Sequence, residues 1–340
     1  MTLKIAIFGA GSIGCYLGGQ LAHAGLNVTF IGRPRFQKAL GENGLTLTHW
    51  ARKEIHIDKE SVQFETTADG VKDADIILVT VKSQDSVQAG AAISMYAKAG
   101  AIIISFQNGV GNVEALEQSL EDFTVLGAVV PFNVTGTEPG HFHCGTEGNL
   151  TIKHIEDARL MTLQTSFETS GQGCDLVGDI LAVQWGKLLV NLNNGLNTLH
   201  GGPLKTGLIQ ADYRKALALS LEEGLKIVKA LGVTPANFGK ASPSKMIKML
   251  RLPNILYKPL MDTVVKIDAT ARSSMLDDLE TGRPTEIDYL QGAVVDLAKS
   301  LDMEAPVNAG VMKAVKRAFA EGVSPKMTGT EILGVIRDCK

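Results

Sequence analysis

The sequence lacks several features that would assign it to a specialised class of protein. Only 5% of its 340 residues are aromatic and 20% are charged, and the net charge is −3. The charges form no long block of one sign, which argues against nucleic acid or an anionic membrane as the main partner. No apolar run reaches the ~18 residues of a membrane span, and the first apolar stretch is better explained as a buried strand than as a signal peptide. We therefore expect a cytoplasmic globular protein.

Cysteine is also scarce, and the 4 cysteines are widely spaced. Cys15, Cys144, Cys174 and Cys339 form neither a CxxC pair nor a Cys/His ligand spacing, which predicts reduced thiols and no metal site. The length exceeds one typical domain. Strand patterns continue to about residue 178 and helical periodicity follows, so we expect two domains, at residues 1–178 and 179–340.

The amino terminus contains an apolar run, a glycine-rich turn and then a helical stretch of small residues. The turn has the pattern GxGxxG at residues 9–14. In a dinucleotide-binding unit the first glycine permits the tight turn, the second lets backbone amides approach a pyrophosphate, and the third lets the helix pack against the strand. The helix N-terminus also favours phosphate charge. A flexible loop is the alternative, but the flanking strand and helix favour a dinucleotide site. The predicted cofactor loop consists of Gly9, Ala10, Gly11, Ser12, Ile13 and Gly14.

The second strand, at residues 27–32, ends without the acidic residue that binds the ribose hydroxyls in an NAD site. Arg33 follows instead, and Arg35 lies two residues later. A guanidinium can bind a 2′-phosphate through two hydrogen bonds, whereas a carboxylate would repel it. The pattern therefore predicts NADP(H), with Arg33 as the main contact, and leaves open whether Arg35 shares the phosphate. The alternative is that both are solvated loop charges.

Two further apolar runs, at residues 75–81 and 101–105, are typical of parallel strands, and a polar turn follows each of them. Lys82 comes directly after the first, and Asn108 lies in the turn after the second. Open α/β sheets bind ligands at the carboxyl ends of their strands, so both side chains are candidates for the site. The alternatives are a solvated lysine and a turn asparagine that tolerates a left-handed backbone.

Shorter alternating stretches follow these parallel strands. Those near Phe142 and at residues 150–152 predict that the sheet continues with antiparallel strands. A helix at about residues 158–169 and a last strand near residues 174–177 complete the expected N-terminal domain.

The first helical pattern of the second half has a polar stripe. Lys187, Asn191, Asn194 and Thr198 are spaced so that they share one narrow face of a mostly apolar helix. The alternative is a solvent-facing stripe, but asparagine is a poor helix former, and Glu, Lys or Gln suit such a face better. We therefore interpret the stripe as a ligand-binding wall that begins with a lysine.

Two later segments resemble helix caps. Ser274 and Thr285 each lie three residues before an aspartate, the spacing of a capping box. Glu286 would then fall in the first turn of a helix, where the dipole favours an anion. Capping alone can account for these residues, so the pattern leaves a functional role for Glu286 open.

Together these motifs resemble the ketopantoate reductase family, and the match runs nearly from end to end. It is carried by the glycine motif, Lys82-Ser-Gln84, Gln107-Asn108-Gly109, Lys187-Leu-Leu-Val-Asn191 and the segment from Ser273 to Asp288. The resemblance implies an α/β Rossmann-type N-terminal domain followed by an all-α C-terminal domain. It also implies NADPH-dependent reduction of a 2-oxo acid, 2-dehydropantoate in the family's namesake reaction, to a 2-hydroxy acid.

The resemblance further implies a role for single residues in catalysis, substrate binding and cofactor binding. For catalysis it implies Lys187 as the proton donor and Glu286 as a residue that assists the site next to the nicotinamide ribose. For substrate binding it implies Asn191, Ser274 and Asn108. For cofactor binding it implies Lys82, Asn108, Glu286 and, more weakly, Phe132. One departure concerns the substrate. The family usually has asparagine and proline eight and nine residues after the lysine, where this chain has Gly195 and Leu196. Asn194 lies ~100° away around the helix and does not simply replace the missing amide.

The chemistry of the residues agrees with the resemblance. Hydride addition to a ketone builds negative charge on its oxygen, which an ammonium can stabilise and then protonate, and desolvation brings the pKa of a lysine toward the working range. A small 2-oxo acid is thus the expected partner. The alternatives are another 2-oxo acid, an opine-type substrate, or a non-catalytic NADP(H) sensor, which needs no lysine-headed stripe. The sequence gives no oligomeric state, and a homodimer is the assembly to test for.

Overall fold

The computed structural model describes residues 3–237, 241–257, 259 and 271–337. The chain divides into two compact units, the first ending at Ile180 and the second beginning at Leu181. The domain boundary at 178/179 stays a prediction. Cys15, Cys144 and Cys174 are buried free thiols, and Cys339 lies outside the described residues.

The first unit is an α/β structure with two sheets. Its strands are β1 (Lys4–Phe8), β2 (Asn27–Ile31), β3 (Leu45–His49), β4 (Arg52–Ile57), β5 (Gln63–Glu65), β6 (Ile76–Val79), β7 (Ile102–Ser105), β8 (Thr124–Val129), β9 (Val134–Glu138), β10 (His141–Cys144), β11 (Leu150–Lys153) and β12 (Cys174–Val177). Its helices are α1 (Ser12–His23), α2 (Pro34–Asn43), α3 (Ser86–Tyr96), α4 (Asn112–Glu117) and α5 (Ala158–Thr169).

The main sheet has the order β12-β11-β8-β7-β6-β1-β2-β5. The six strands from β8 to β5 are parallel, β11 runs antiparallel to β8, and β12 is parallel to β11. Because side chains alternate across a strand, Ile5 and Ile7 of β1 pack into the core on one face and Ala6 into the core on the other. Both faces of the sheet are therefore covered, as a parallel sheet requires.

A second sheet has the order β4-β3-β10-β9. The stretch near Phe142 belongs to this sheet, where β10 pairs parallel to β3, so the prediction that it extends the main sheet is wrong. Alternation alone predicts a strand but not its partner, and β3 lies about 95 residues earlier in the chain. The antiparallel extension predicted at residues 150–152 is confirmed by β11.

The second unit is built from helices. Among its described residues these are α6 (Ile180–His200), α7 (Leu204–Leu208), α8 (Ala211–Ala230), α9 (Pro243–Leu250), α10 (Ser274–Glu280), α11 (Gln291–Ser300), α12 (Pro306–Glu321) and α13 (Gly329–Arg337), and a short 3₁₀ turn lies at Ile287–Tyr289. The predicted fold class, a Rossmann-type α/β unit followed by a helical one, is confirmed. In the parts of the chain that the structure describes, no helix combines the length and apolarity needed to cross a bilayer.

Candidate active site

The glycine motif forms the turn between β1 and α1, and the structure gives each glycine a separate reason. Gly9 has φ +110°, and a β-carbon there would lie 2.7 Å from the Val81 amide nitrogen. A β-carbon at Gly14 would lie 2.5 Å from the Gly9 carbonyl oxygen and 2.6 Å from the Thr80 hydroxyl oxygen. At Gly11 the nearest such atom is 3.9 Å away. The first and third glycines are thus required by packing within the protein, while the second leaves open space.

This turn fits a dinucleotide pyrophosphate. The loop is held on β2 by the amides of Gly9 and Ala10, which donate to the Ile31 carbonyl at 3.0 and 2.8 Å. No side chain caps the N-terminus of α1, where Ser12 and Ile13 supply the first amides. A helix start of this kind carries unsatisfied N–H groups and a partial positive charge. The open position at Gly11 lets an anion approach them closely.

Gly32 explains why the end of β2 has no carboxylate. A β-carbon at this position would lie 2.9 Å from the Ala10 β-carbon, so an aspartate or glutamate cannot be placed there without moving the loop. The next residue, Arg33, is exposed at the start of α2. Arg35 is also exposed, and its guanidinium carbon lies 5.0 Å from the centre of the Phe36 ring. Arg33 is therefore the first side chain after β2, and its contact with a cofactor stays a prediction.

Lys82 and Asn108 lie at the carboxyl ends of β6 and β7, which are neighbours in the sheet. The Ser83 hydroxyl and the side-chain amide of Asn112 both donate to the backbone carbonyl of Asn108, at 2.9 and 2.8 Å. The Gln107 amide donates to the Val81 carbonyl at 3.2 Å. These bonds tie the two turns together. Both predicted residues are half-buried at one sheet edge.

The turn after β7 also tests the alternative for Asn108. Gly109 and Gly111 have φ of +85° and +83°, while the non-glycine residues with positive φ in the described ranges are Asp302 and Lys326. The glycines supply the left-handed conformations, so Asn108 is not needed for that purpose. Turn geometry alone therefore does not explain an asparagine at position 108, and it stays a candidate ligand residue.

Phe132 is placed in the core of the first unit. Its ring is 4% exposed and packs edge-on against Tyr16 of α1, with the ring centres 5.6 Å apart. The ring therefore supports the helix that begins at the glycine turn. A direct contact between Phe132 and a cofactor stays a prediction.

In the second unit, the polar stripe of α6 separates into two parts. Lys187, Asn191 and Asn194 are half-buried, as expected for a wall that a ligand can reach. Thr198 is fully buried, and its hydroxyl donates to the Asn194 carbonyl at 2.9 Å. The candidate ligand wall is therefore limited to the first three residues.

Lys187 has a perturbed acidity. Desolvation by burial lowers the pKa of its ammonium from 10.5 to about 8, and the charge of Glu286 opposes this shift. Next to the lysine, Gly186 lets another segment cross α6 closely, since a β-carbon there would lie 2.4 Å from the Ala236 carbonyl oxygen. The Ala236 amide donates to the Ala182 carbonyl at 2.8 Å and fixes this crossing. A lysine with a pKa near 8 can release its proton readily at neutral pH.

The cap before α10 lies one residue earlier than the sequence suggests. Ser273, not Ser274, is the N-cap residue, and its hydroxyl accepts from the Leu276 amide at 3.3 Å. Ser274 is the first helical residue and is exposed. Helix ends read from sequence are uncertain by one or two residues, which explains the difference. The Ser274 hydroxyl is thus not occupied as a cap.

Glu286 precedes the short 3₁₀ turn at Ile287–Tyr289 instead of lying in the first turn of an α-helix. The Thr285 hydroxyl accepts from the Ile287 amide at 3.1 Å, so threonine does cap this turn. No side-chain cap bond is formed by Glu286 itself. The carboxylate is half-buried and acts electrostatically on Lys187.

Two buried amides escaped the sequence analysis. The Asn197 carbonyl oxygen accepts from the Ser273 amide at 3.0 Å, and the Asn197 nitrogen donates to the Gly202 carbonyl at 2.8 Å. Gln291 donates to the Leu192 carbonyl at 2.7 Å. The one available signal was the cost of asparagine inside an apolar helix. In the described ranges, no group of three or more His, Cys, Asp or Glu side chains is arranged to bind a metal ion.

Comparison with known proteins gives consistent matches over most of the chain. The family model for ketopantoate reductase PanE/ApbA matches residues 5–157, and the model for its C-terminal domain matches residues 179–318. The 2-dehydropantoate 2-reductase of Halobacterium salinarum is 27% identical over 325 residues, which cover 94% of this chain and 100% of the relative.

Comparison with solved structures also gives matches over most of the chain. A PanE/ApbA family ketopantoate reductase from Ralstonia eutropha JMP134 superposes with a TM-score of 0.79 and 27% identity, covering 94% of this chain and 99% of that one. A D-mandelate dehydrogenase solved with NADH and anilino(oxo)acetate has a TM-score of 0.78 at 20% identity, with coverage of 94% and 99%, and shares the fold.

These matches and the two units define an oxidoreductase of the nicotinamide-dependent class. Because the two family models together span most of its length, the chain belongs to the ketopantoate reductase family.

Proposed function

We propose that this protein is an NADPH-dependent reductase of a 2-oxo acid, with 2-dehydropantoate, also called ketopantoate, as the substrate and pantoate as the product. The observation that carries the proposal is the half-buried Lys187, whose pKa is lowered to about 8 and whose charge is coupled to Glu286. The names of the relatives support the choice of substrate.

For the cofactor, the turn from Gly9 to Gly14 fits the pyrophosphate, and Arg33 would bind the 2′-phosphate of NADP(H). The steric exclusion of a carboxylate at Gly32 supports this preference. Lys82, Asn108 and, more weakly, Phe132 would contribute further contacts. When bound, the reduced nicotinamide supplies the hydride that is added to the keto carbon of the substrate.

For the substrate, Asn191, Ser274 and Asn108 are proposed to donate hydrogen bonds to the carboxylate and the keto oxygen. The Lys187 ammonium donates a proton to the keto oxygen as negative charge builds there. Burial stabilises the neutral amine that remains, because it is the charged form that is penalised in a desolvated site. Glu286 opposes that effect and keeps more of the lysine protonated near neutral pH. The balance of the two sets a pKa suited to proton transfer.

Gly195 favours a second candidate within the same chemistry. The position lacks the amide that the family usually carries there, and the Gln291 side chain packs against it. A family reductase that acts on another 2-oxo acid, or on an opine-type substrate, is therefore the alternative.

Oxidation of NADPH, followed by its absorbance, tests the proposal with ketopantoate and with a panel of linear, branched and aromatic 2-oxo acids. We expect turnover with NADPH above that with NADH, and the highest kcat/KM for ketopantoate. A different best substrate supports the second candidate. NADPH binding with no turnover of any 2-oxo acid or opine precursor would point to a sensor. Action in the cytoplasm and assembly as a homodimer stay predictions, and light scattering of the full chain tests the latter.

A further inference from the structure

Gln291 links the two segments that carry the proposed catalytic pair. It is the first residue of α11, five residues after Glu286, and it is fully buried. Its side-chain nitrogen donates a 2.7 Å hydrogen bond to the carbonyl of Leu192, which lies on α6 five residues after Lys187. The buried side-chain amide of Gln291 thus connects the backbone of α6, which carries Lys187, with the segment that runs from Glu286 into α11.

Gly195 makes room for this link. A β-carbon at position 195 would lie 2.9 Å from the Gln291 side-chain nitrogen, 3.2 Å from its amide carbon and 3.0 Å from a methyl carbon of Val311. At 2.9 Å the Gln291 nitrogen would have to shift, and at 3.0 and 3.2 Å the other two atoms would have to give by a few tenths of an ångström. The missing side chain at position 195 and the long side chain at position 291 are therefore a matched pair.

Stability alone does not explain a glutamine here. The side-chain oxygen of Gln291 is buried and has no hydrogen-bond partner in the described parts of the chain. A buried acceptor without a partner is unfavourable, and such a group calls for an explanation other than packing. The Leu192 carbonyl is inside a regular helix, where the amide four residues later already bonds to it. The hydrogen bond from Gln291 is thus a second bond to a carbonyl that is already paired within its helix.

We propose that Gln291, admitted by Gly195, is a positioning residue that holds Glu286 at a fixed place relative to Lys187. Its hydrogen bond goes to the backbone of Leu192, not to the side chain of Lys187 or Glu286. It acts by anchoring the start of α11, and with it the 3₁₀ turn that follows Glu286, to α6. The inference rests on the proposed function.

The test is Gln291→Met, which keeps the length of the side chain and removes both polar atoms. We expect kcat for the best 2-oxo acid to fall about 10–100-fold, the cost of a small misplacement of catalytic groups, with KM for NADPH unchanged. The thermal midpoint should be equal or higher, because the unpartnered oxygen is removed. The alkaline limb of the kcat–pH profile should move to lower pH, since Glu286 is the charged group that raises the pKa of Lys187.

A second variant reaches the same link without altering Gln291. Gly195→Ala should displace the amide and produce the same shift of the alkaline limb, whereas the control Gly334→Ala, at a helical glycine with no atom within 4 Å, should leave it in place. The two effects should be less than additive in the double variant, because both break one contact.

Variants that keep the wild-type kcat and alkaline limb would overturn the proposal, and so would a fall in thermal midpoint with an unmoved pH profile, which is the result of a purely structural role. Failure of the proposed function is separate, because in that case the wild-type protein itself reduces no 2-oxo acid.

Discussion

The side chain of Asn197 accepts a hydrogen bond from the backbone amide of Ser273 at 3.0 Å, within the protein interior. The same side chain donates to the Gly202 carbonyl. One asparagine of α6 therefore holds the start of α10, where Ser274 is the first exposed residue. The lysine helix and the serine proposed to bind substrate are connected through this amide.

Replacement of Asn197 by alanine should affect both stability and substrate binding. It removes two hydrogen bonds and leaves the buried Ser273 amide without its acceptor, so we expect a loss of about 2–4 kcal/mol in the free energy of unfolding. KM for the 2-oxo acid should rise because Ser274 moves. Urea unfolding and steady-state kinetics measure the two effects. In the control Asn193→Ala, which loses only the bond from the Tyr213 hydroxyl, KM should not change. A normal KM in Asn197→Ala would contradict the claim that Asn197 positions Ser274 for substrate binding.

The third glycine of the motif should not accept a side chain. In Gly14→Ala the new β-carbon would lie 2.5 Å from the Gly9 carbonyl oxygen in the glycine turn, so the turn must shift. We expect NADPH affinity, measured by fluorescence titration, to fall at least about 10-fold, since a small displacement is costly in a preorganised site. Gly41→Ala is the matched control, because that helical position has no atom within 4 Å, and it should be neutral or stabilising by about 0.5–1 kcal/mol. Equal NADPH affinities in the two variants would contradict the packing argument.

The cofactor preference should depend on Arg33. A charged hydrogen bond to a phosphate is worth about 1.5–3 kcal/mol, so Arg33→Ala should raise KM for NADPH about 10–100-fold and leave KM for NADH nearly unchanged. Lys38→Ala removes an exposed charge from the same helix and serves as the control. Arg35→Ala, compared in the same assay, shows whether Arg35 shares the phosphate. The assignment to Arg33 is wrong if NADPH and NADH are affected equally.

The pKa of Lys187 also predicts how stability depends on pH. Since the folded-state pKa is lowered from 10.5 to about 8, the unfolded chain binds more protons between these values. Stability due to this group therefore increases with pH across that window. The isosteric neutral variant Lys187→Met should be more stable than wild type by about 1–3 kcal/mol at pH 7, and the difference should shrink toward pH 10. Chemical unfolding at several pH values measures it. A pH-independent difference would show that the lysine is not desolvated in the folded protein.

The sequence was most informative where the constraint is local. The glycine turn could be predicted because Gly9 and Gly14 are required by close packing within the turn and its neighbouring strands. The face shared by Lys187 and Asn191 follows from helical periodicity. The predicted cap of α10 was one residue too late, at Ser274 instead of Ser273. The two serines are adjacent, and the local sequence allows either of them to precede the helix.

Long-range partners could not be predicted. Asn197 and Gln291 bond to groups 76 and 99 residues away, and nothing in their own neighbourhood shows this. The same limit applies to Thr198, which shares the predicted polar face but is buried. Periodicity gives the direction of a side chain around its helix, whereas burial depends on what the rest of the chain packs against that face.

The most direct test of the whole account is the turnover of Lys187→Ala, measured as NADPH oxidation with the best 2-oxo acid at pH 7, beside a titration of NADPH binding. Loss of a general acid typically costs about 10²–10⁴-fold. We predict a fall in kcat of this size with the Kd for NADPH unchanged, while the wild-type kcat declines above about pH 8 as the lysine loses its proton. A variant that turns over at close to the wild-type rate would contradict the claim that Lys187 donates the proton.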